Sequence, residues 1–328
     1  MSALGIASHM YLVSLPRRED RREQMERLRM AQNLEWTQVD AMDANDPAIE
    51  RIFDHVEAQR HQLTEKAVRQ GPFAGFRWPK NIDALSVSRD RLEPLESDLW
   101  VSASSHRRKR LPSRGAGVIS ARGRNLTCAT EDHTISPFTS GLPDFRVLTP
   151  PKIACWNSHV SAIRKFIDNK NMTAVGDVAV IVEDDIDMEK NIRERLNSTW
   201  GSLPVGWDIV FLGHCWSNES FYPALPGHIN ASQLHSTRIH PSLAPKCTHA
   251  YALSRTGARR VLLHLRYPPF AYSRALDQAF SWLVESGRLR SYSVVPSVIV
   301  QRKTEKSDVM FGMGSDWRER LEHGVFGT

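Results

Sequence analysis

The sequence predicts an α/β fold with a mainly parallel sheet flanked by helices, and three observations predict it. Val178-Ala-Val-Ile-Val182 is an uninterrupted apolar run, the pattern of a central parallel strand buried on both faces. Trp207-Asp-Ile-Val-Phe-Leu212 repeats that pattern before Gly213-His214. A strand–helix–strand unit opens the chain, and such units are right-handed and parallel.

Taken in order, Tyr11 to Leu15 is a β-branched and aromatic run closed by Pro16, which reads as a strand. Arg17 to Gln32 holds no Gly or Pro, and only Met25 and Leu28 form an apolar stripe, so it is a largely exposed helix. Trp36 to Ala41 reads as the second strand, and Ile49 to Val68 as a helix. From residue 72 to 150, clusters of Pro, Ser, Gly and Arg replace periodic segments. This stretch is expected to be a loop-rich basic insertion within one domain spanning residues 1–328. Helical periodicity returns from Ile153 to Ile167, with Trp156, Val160, Ile163 and Ile167 on one face. After the two apolar strands come a strand from Ala250 to Ser254 and a helix from Gly257 to Leu265. A helix from Leu276 to Glu285 and a strand from Ser291 to Val295 follow.

Composition narrows the function classes. With 328 residues and 41% hydrophobic content, the chain has enough apolar material for a core, which excludes wholesale disorder. No apolar run approaches the roughly 20 residues that span a bilayer. The N-terminus has no basic region leading into a long apolar stretch, so no cleaved leader is expected, and a cytoplasmic or cytoplasmic-face location is the expectation. The net charge of +6 is smaller than the seven basic residues between His106 and Arg124, which include no acid. The pI therefore describes one segment, expected to be mobile and at the surface. Without interleaved aromatics it suits a solvated loop, and a nucleic-acid partner is not expected. Cys128, Cys155, Cys215 and Cys247 are widely spaced with no CxxC pair, so free or buried thiols are expected rather than zinc or disulfides.

Glu183-Asp184-Asp185 closes the first apolar strand, where ligands bind in open α/β sheets. Strand alternation places Glu183 and Asp185 on one face and Asp184 on the other, so two carboxylates can converge on a hard divalent cation. The alternative is a solvated acidic loop capping the next helix through Asp187 and Glu189. Arg17, Arg18, Arg21 and Arg22 can meet phosphate. Their interleaved acids equally allow ion pairs along a wet helix face. Ser158-His159 sits on an apolar-patterned helix, where a lone His is usually a hydrogen-bonded core residue. Asp277 is the only acid from Leu243 to Val284 and opens a helix, as a cap or a general base. Trp216, just after Gly213-His214-Cys215, can stack on a sugar face.

Together these blocks resemble the family 25 glycosyltransferases, which include bacterial lipooligosaccharide and collagen galactosyltransferases. The blocks are Tyr11-Leu-Val-Ser-Leu-Pro-Arg-Arg18 with Val39-Asp-Ala41, Ala154-Cys-Trp-Asn-Ser-His159, and Val180-Ile-Val-Glu-Asp-Asp185. Asp208-Ile-Val-Phe-Leu-Gly213, Cys247-Thr-His-Ala-Tyr251 and Leu276-Asp277 follow in the family's order. The resemblance implies a GT-A-like, Rossmann-related fold and an inverting transfer of a hexose such as galactose. The implied donor is a nucleotide sugar of the UDP type, the cation Mn2+, and the acceptor a hydroxyl of a glycan, glycolipid or protein. It implies Glu183 and Asp185 as metal ligands and Asp277 as base candidate. It places Arg17 and Arg18 on the nucleotide side, with Ser14, Leu15, Ser158, His159 and Asp184 as further donor contacts. Ser14 and Pro16 depart from the family's usual Asn and acidic or small polar residue, which leaves substrate identity open. A non-catalytic sugar- or protein-binding relative is the alternative, and the retained acidic triplet weighs against it. A metal-dependent hydrolase would use the same acids but lacks clustered His ligands.

Overall fold

A computed structural model of the protein describes residues 3–70, 76–102, 125–169, 177–227, 237–303, 307–309, 317 and 319–327. The opening unit forms as expected. β1 (His9–Ser14), α1 (Glu19–Ala31) and β2 (Thr37–Asp40) make a parallel βαβ, with Val13 opposite Val39. The chain continues through α2 (Ala48–Gln70), α3 (Ile82–Val87), α4 (Pro150–Asp168) and β3 (Val178–Glu183). β4 (Ile186–Met188), α5 (Ile192–Trp200), β5 (Ile209–Phe211) and β6 (Arg238–Pro241) follow. The last elements are β7 (Ala250–Ser254), α6 (Arg255–Leu265), α7 (Leu276–Glu285), β8 (Ser291–Val295) and β9 (Ile299–Gln301).

Among the described residues the main sheet has seven strands in the order β2-β1-β3-β7-β5-β8-β6. β1, β2, β3, β5 and β8 run one way, and β7 and β6 run the other. The fold is thus mixed α/β with a mostly parallel sheet, compatible with a Rossmann-like arrangement. β3 corrects one expectation. It pairs in parallel with β1 but antiparallel with β7. An apolar run reports that both faces are covered, and it carries no information on a neighbour's direction.

Strand alternation divides the core into two layers. Tyr11, Val13, Ile181, Phe211 and Leu253 face α2, α4, α6 and α7. Met10, Leu12, Val180, Val182 and Ala252 face α1 and α5. Both faces are dry, as the apolar runs require. The described parts of residues 72–150 hold little regular structure, yet Trp100, Cys128 and Leu148 are buried in the first layer. The basic run 106–124 lies outside the described residues. Among those described, no helix is long and apolar enough to cross a membrane.

Candidate active site

The ends of β1 and β3 meet the segment leading into β7. Glu183 is the last residue of β3, opposite Val13 of β1, and its N–H donates to His249 O at 3.0 Å. Residues 184–185 then turn toward β4, so strand alternation stops at Glu183. Arg21 Nη1 consequently reaches both Asp184 Oδ1 (3.0 Å) and Asp185 Oδ2 (3.1 Å). Ser14 Oγ donates to Asp184 Oδ2 at 2.7 Å, and Gln301 Nε2 to Asp185 Oδ2 at 3.0 Å. Asp185 Oδ1 is buried without a hydrogen-bond partner among the described residues.

The two acids assigned to the metal differ sharply. Glu183 Oε1 accepts from Thr248 Oγ1 (2.6 Å) and faces His159 Nε2 (3.2 Å). Burial alone would raise its pKa, but His159 and the Thr248 hydroxyl together hold it below the usual carboxylate range. Asp185 is pushed up to about 7, first by burial and then by the negative charge of Glu183, against the pull of Arg21. Asp184 is also raised by burial, opposed by Ser14 and Arg21.

His159 is the hydrogen-bonded core histidine that its position suggested, but its partners are functional groups. Nδ1 lies 2.9 Å from Tyr251 Oη and Nε2 faces Glu183. Ser158 faces elsewhere: its Oγ donates to Ala154 O and accepts from Met42 N, which ties the β2–α2 loop to α4. Leu15 enters through its backbone carbonyl, which accepts from Arg18 N at 3.0 Å. Arg17 and Arg18 converge on Asp308, at 2.7 Å and 2.5 Å, and Arg17 also holds Asp43.

Asp277 is not a helix cap. Ala275 is the N-cap of α7, so Asp277 is the second helical residue, with Oδ1 accepting from Gln278 N at 2.8 Å. Burial pushes its pKa above the usual aspartate range, while N–H groups of Gln278 and Cys247 oppose that rise. The Cys247 contact places Asp277 beside the segment that leads into β7. Asp208, the one acid of the β5 block, sits at the opposite end of β5, held by Arg260 Nε (3.1 Å) and Arg290 N (2.9 Å). Asp187 and Glu189 do not cap α5, whose N-cap is Asn191. They are buried and accept from backbone N–H groups of Phe326, Glu322 and His323.

The cysteines correct another expectation. Cys215 and Cys247 form a disulfide, with Cα atoms 5.7 Å apart. The physical reason is sheet pairing: β5 and β7 are antiparallel neighbours, so the chain leaving one faces the chain entering the other. Cys215 N donates to Lys246 O at 3.0 Å, which continues that pairing past the strands. Cys128 and Cys155 are free thiols.

Among the described residues, two groups of side chains have metal-ligating atoms within 4.8 Å of one another, Cys155–His159–Glu183 and Cys215–Cys247–His249. The second has its sulfurs in the disulfide. In the first, burial and then the charges of Glu183 and Asp277 push the Cys155 thiol well up, which keeps it protonated. A hard cation takes oxygen ligands. The bare Asp185 Oδ1 beside Glu183 suits one better than either sulfur-bearing group.

From sequence, Arg21 is one of four arginines that can meet phosphate, with nothing in that reading to set it apart. In the structure Arg21 reaches the acids where Arg17 and Arg18 do not, and one sequence signal separates it. Arg21 falls at i, i+4, i+7 with Met25 and Leu28, and all three are buried. Thr248 and His249 follow Cys247 in a block already singled out. His249 is buried, and burial lowers its pKa to about 4 despite the nearby Glu183 charge. Nε2 therefore donates to Ile299 O (3.2 Å), leaving Nδ1 as an acceptor. Gly213 allows this packing, since a Cβ there would strike both Ile299 O and His249 Nε2. Compared with known proteins, the chain matches no family model and no curated protein.

Proposed function

We propose that this protein is a metal-assisted, inverting glycosyltransferase of GT-A-like architecture, moving a hexose from a nucleoside-diphosphate sugar to a hydroxyl acceptor. The observation that carries the reading is the acidic turn at the end of β3. There Asp185 keeps an unpartnered buried oxygen and Arg21 draws Asp184 and Asp185 together. Such a turn is costly without a cation or a counter-charge, which is a reason to retain it only at a working site.

Glu183 and Asp185 would hold a divalent cation such as Mn2+, with Asp185 contributing its bare oxygen. Such a cation supplies charge neutralisation for the departing nucleoside diphosphate. The rest is the work of side chains. Arg17 and Arg18 meet the diphosphate by exchanging Asp308 for it, one anion for another. Thr248 and His159 fix the Glu183 carboxylate so that it does not reorient as charge develops. Asp277 takes the acceptor proton, and its raised pKa brings it closer to working pH, where a general base is most effective. The Cys215–Cys247 bond supports an oxidising compartment over the cytoplasmic location expected from the sequence.

Nucleoside diphosphate release, measured across a panel of sugar nucleotides with manganese or with chelator, tests the proposal. Metal-dependent release from one donor class is expected. Release that survives exhaustive chelation, or none from any donor, sinks it.

A further inference from the structure

The Cys215–Cys247 bond lies against a histidine with a spare nitrogen. The two sulfurs and a ring nitrogen of His249 fall within 4.8 Å of one another. His249 is buried, and its Nε2 sits 3.2 Å from Ile299 O. A carbonyl only accepts, so the ring proton is on Nε2 and Nδ1 carries a free lone pair. That Nδ1 has no hydrogen-bond partner among the described residues. The buried His214 repeats the arrangement, with Nε2 3.3 Å from Val294 O and a bare Nδ1. Buried acceptors normally have partners. Here both rings line a cavity with room for about one water molecule.

An imidazole held by an N–H bond to a backbone carbonyl, with its other nitrogen free, is arranged as metal-ligating histidines are. The ring is also fixed in place, because a Cβ at position 213 would strike its Nε2. Two cysteine sulfurs and one imidazole, with a water in the fourth position, form a tetrahedral set for Zn2+. The cavity supplies the place of that water. Two thiolates would balance the charge of the ion, so Lys303, which lines the cavity and donates from Nζ to Trp317 O at 2.6 Å, faces no added net charge.

We propose that reduction of the Cys215–Cys247 bond turns this corner into a Zn2+ site, with Cys215, Cys247 and His249 as its ligands. The reductant is a dithiol. Cys215 is buried and Cys247 only partly so, which makes Cys247 Sγ the sulfur open to attack. One thiolate of the dithiol bonds to Cys247 Sγ, and Cys215 leaves with the electron pair of the S–S bond. The second dithiol sulfur then displaces Cys247 and closes the dithiol's own disulfide, so two electrons pass to the cystine. The ion takes both sulfurs as thiolates, and any protons they hold go to solvent. His214 Nδ1 accepts a hydrogen bond from the water in the cavity. The site acts on the segment that follows Cys247, whose N–H supports Asp277 and whose neighbour Thr248 donates to Glu183. Zinc keeps that segment clamped to residue 215 once the disulfide is lost. The affinity for the ion does not rest on the glycosyltransferase reading.

Cobalt(II) absorption on the full chain, reduced by a phosphine that is removed before metal is added, tests this. Thiolate-to-cobalt charge transfer is expected in the reduced chain, bleached by Zn2+ and absent from the oxidised chain. No such absorption after reduction, or equal absorption before it, overturns the proposal. The free thiols are controlled by Cys128→Ser with Cys155→Ser, which should keep the signal; its loss there assigns the ion elsewhere and overturns the site. His249→Ala should weaken cobalt binding about tenfold or more, and an unchanged affinity removes His249 from the ligand set.

Discussion

The two sides of the strand-end region are built on opposite principles. On the β1–β3 side, charges are packed together: Arg17, Arg18 and Arg21 with Asp184, Asp185 and Asp308, all within one ion-pair network. On the β5–β7 side stand a disulfide, two buried histidines whose Nε2 atoms face backbone carbonyls, and the exposed Trp216 beside Trp317. The first side can bind an anion only by exchanging ions, because its cations are already paired. The second leaves the buried Nδ1 atoms of His214 and His249 without a partner among the described residues.

Asp277 should give the largest effect, since it contacts Cys247 on the β5–β7 side and is assigned the proton transfer in the proposed mechanism. Asp277→Asn preserves volume and should cut transfer to the acceptor by roughly 10²–10⁴-fold, with donor binding unchanged. Near-wild-type transfer in a steady-state assay removes Asp277 from the mechanism and points to His249.

The disulfide should come next. It closes a loop with a sequence separation of 32. Replacing Cys215 and Cys247 by Ser should lower unfolding free energy by about 2–4 kcal/mol in denaturant titration. The comparison predicts more: transfer to the acceptor should fall, because Asp277 contacts Cys247, while binding of nucleoside diphosphate with manganese holds. Equal loss on both sides would show that the two regions are one unit.

The charged side should declare itself through pH. Folding raises Asp185 from the ordinary 3.8 to about 7, so between those values the folded state holds a proton that the unfolded state has released. Stability of the metal-free protein should therefore fall as pH rises across that window, and Asp185→Asn should flatten the slope. A thermal-unfolding series at fixed ionic strength reads it. A rise in stability over the same window would contradict the assigned burial.

The smallest effect is expected from Asp308. Asp308→Ala removes the carboxylate that Arg17 and Arg18 share, leaving Arg17 on Asp43 and Arg18 on Asp20, and should tighten binding of nucleoside diphosphate by a few-fold, on the order of 1 kcal/mol. Calorimetric titration measures it. Weaker binding would mean that Asp308 orients the arginines and does not compete for them.

Much of the secondary structure was legible in the sequence because it is a local property. The α7 helix and the β8 strand fall on their expected bounds, set by an apolar period and by the glycine at 287. α5, β4, β6 and β9 were not read. They are short: β4 and most of β9 are buried by packing rather than by a period of their own, while β6 and α5 stay partly exposed. In the site, the acidic triplet announced itself as an electrostatic anomaly. Arg21 did not, since charge alone does not separate it from Arg17, Arg18 and Arg22.

By itself, then, the sequence determined which segments are buried strands, that acids close β3, and that arginines follow β1, because apolar period and charge spacing act over neighbouring residues. Tertiary structure decided the reversal of β7, the Cys215–Cys247 bond, the Arg21 bridge and the bare histidine nitrogens. Each of these depends on groups far apart in the chain, such as Arg21 and Asp184 or His249 and Ile299, which only sheet order brings within hydrogen-bond reach.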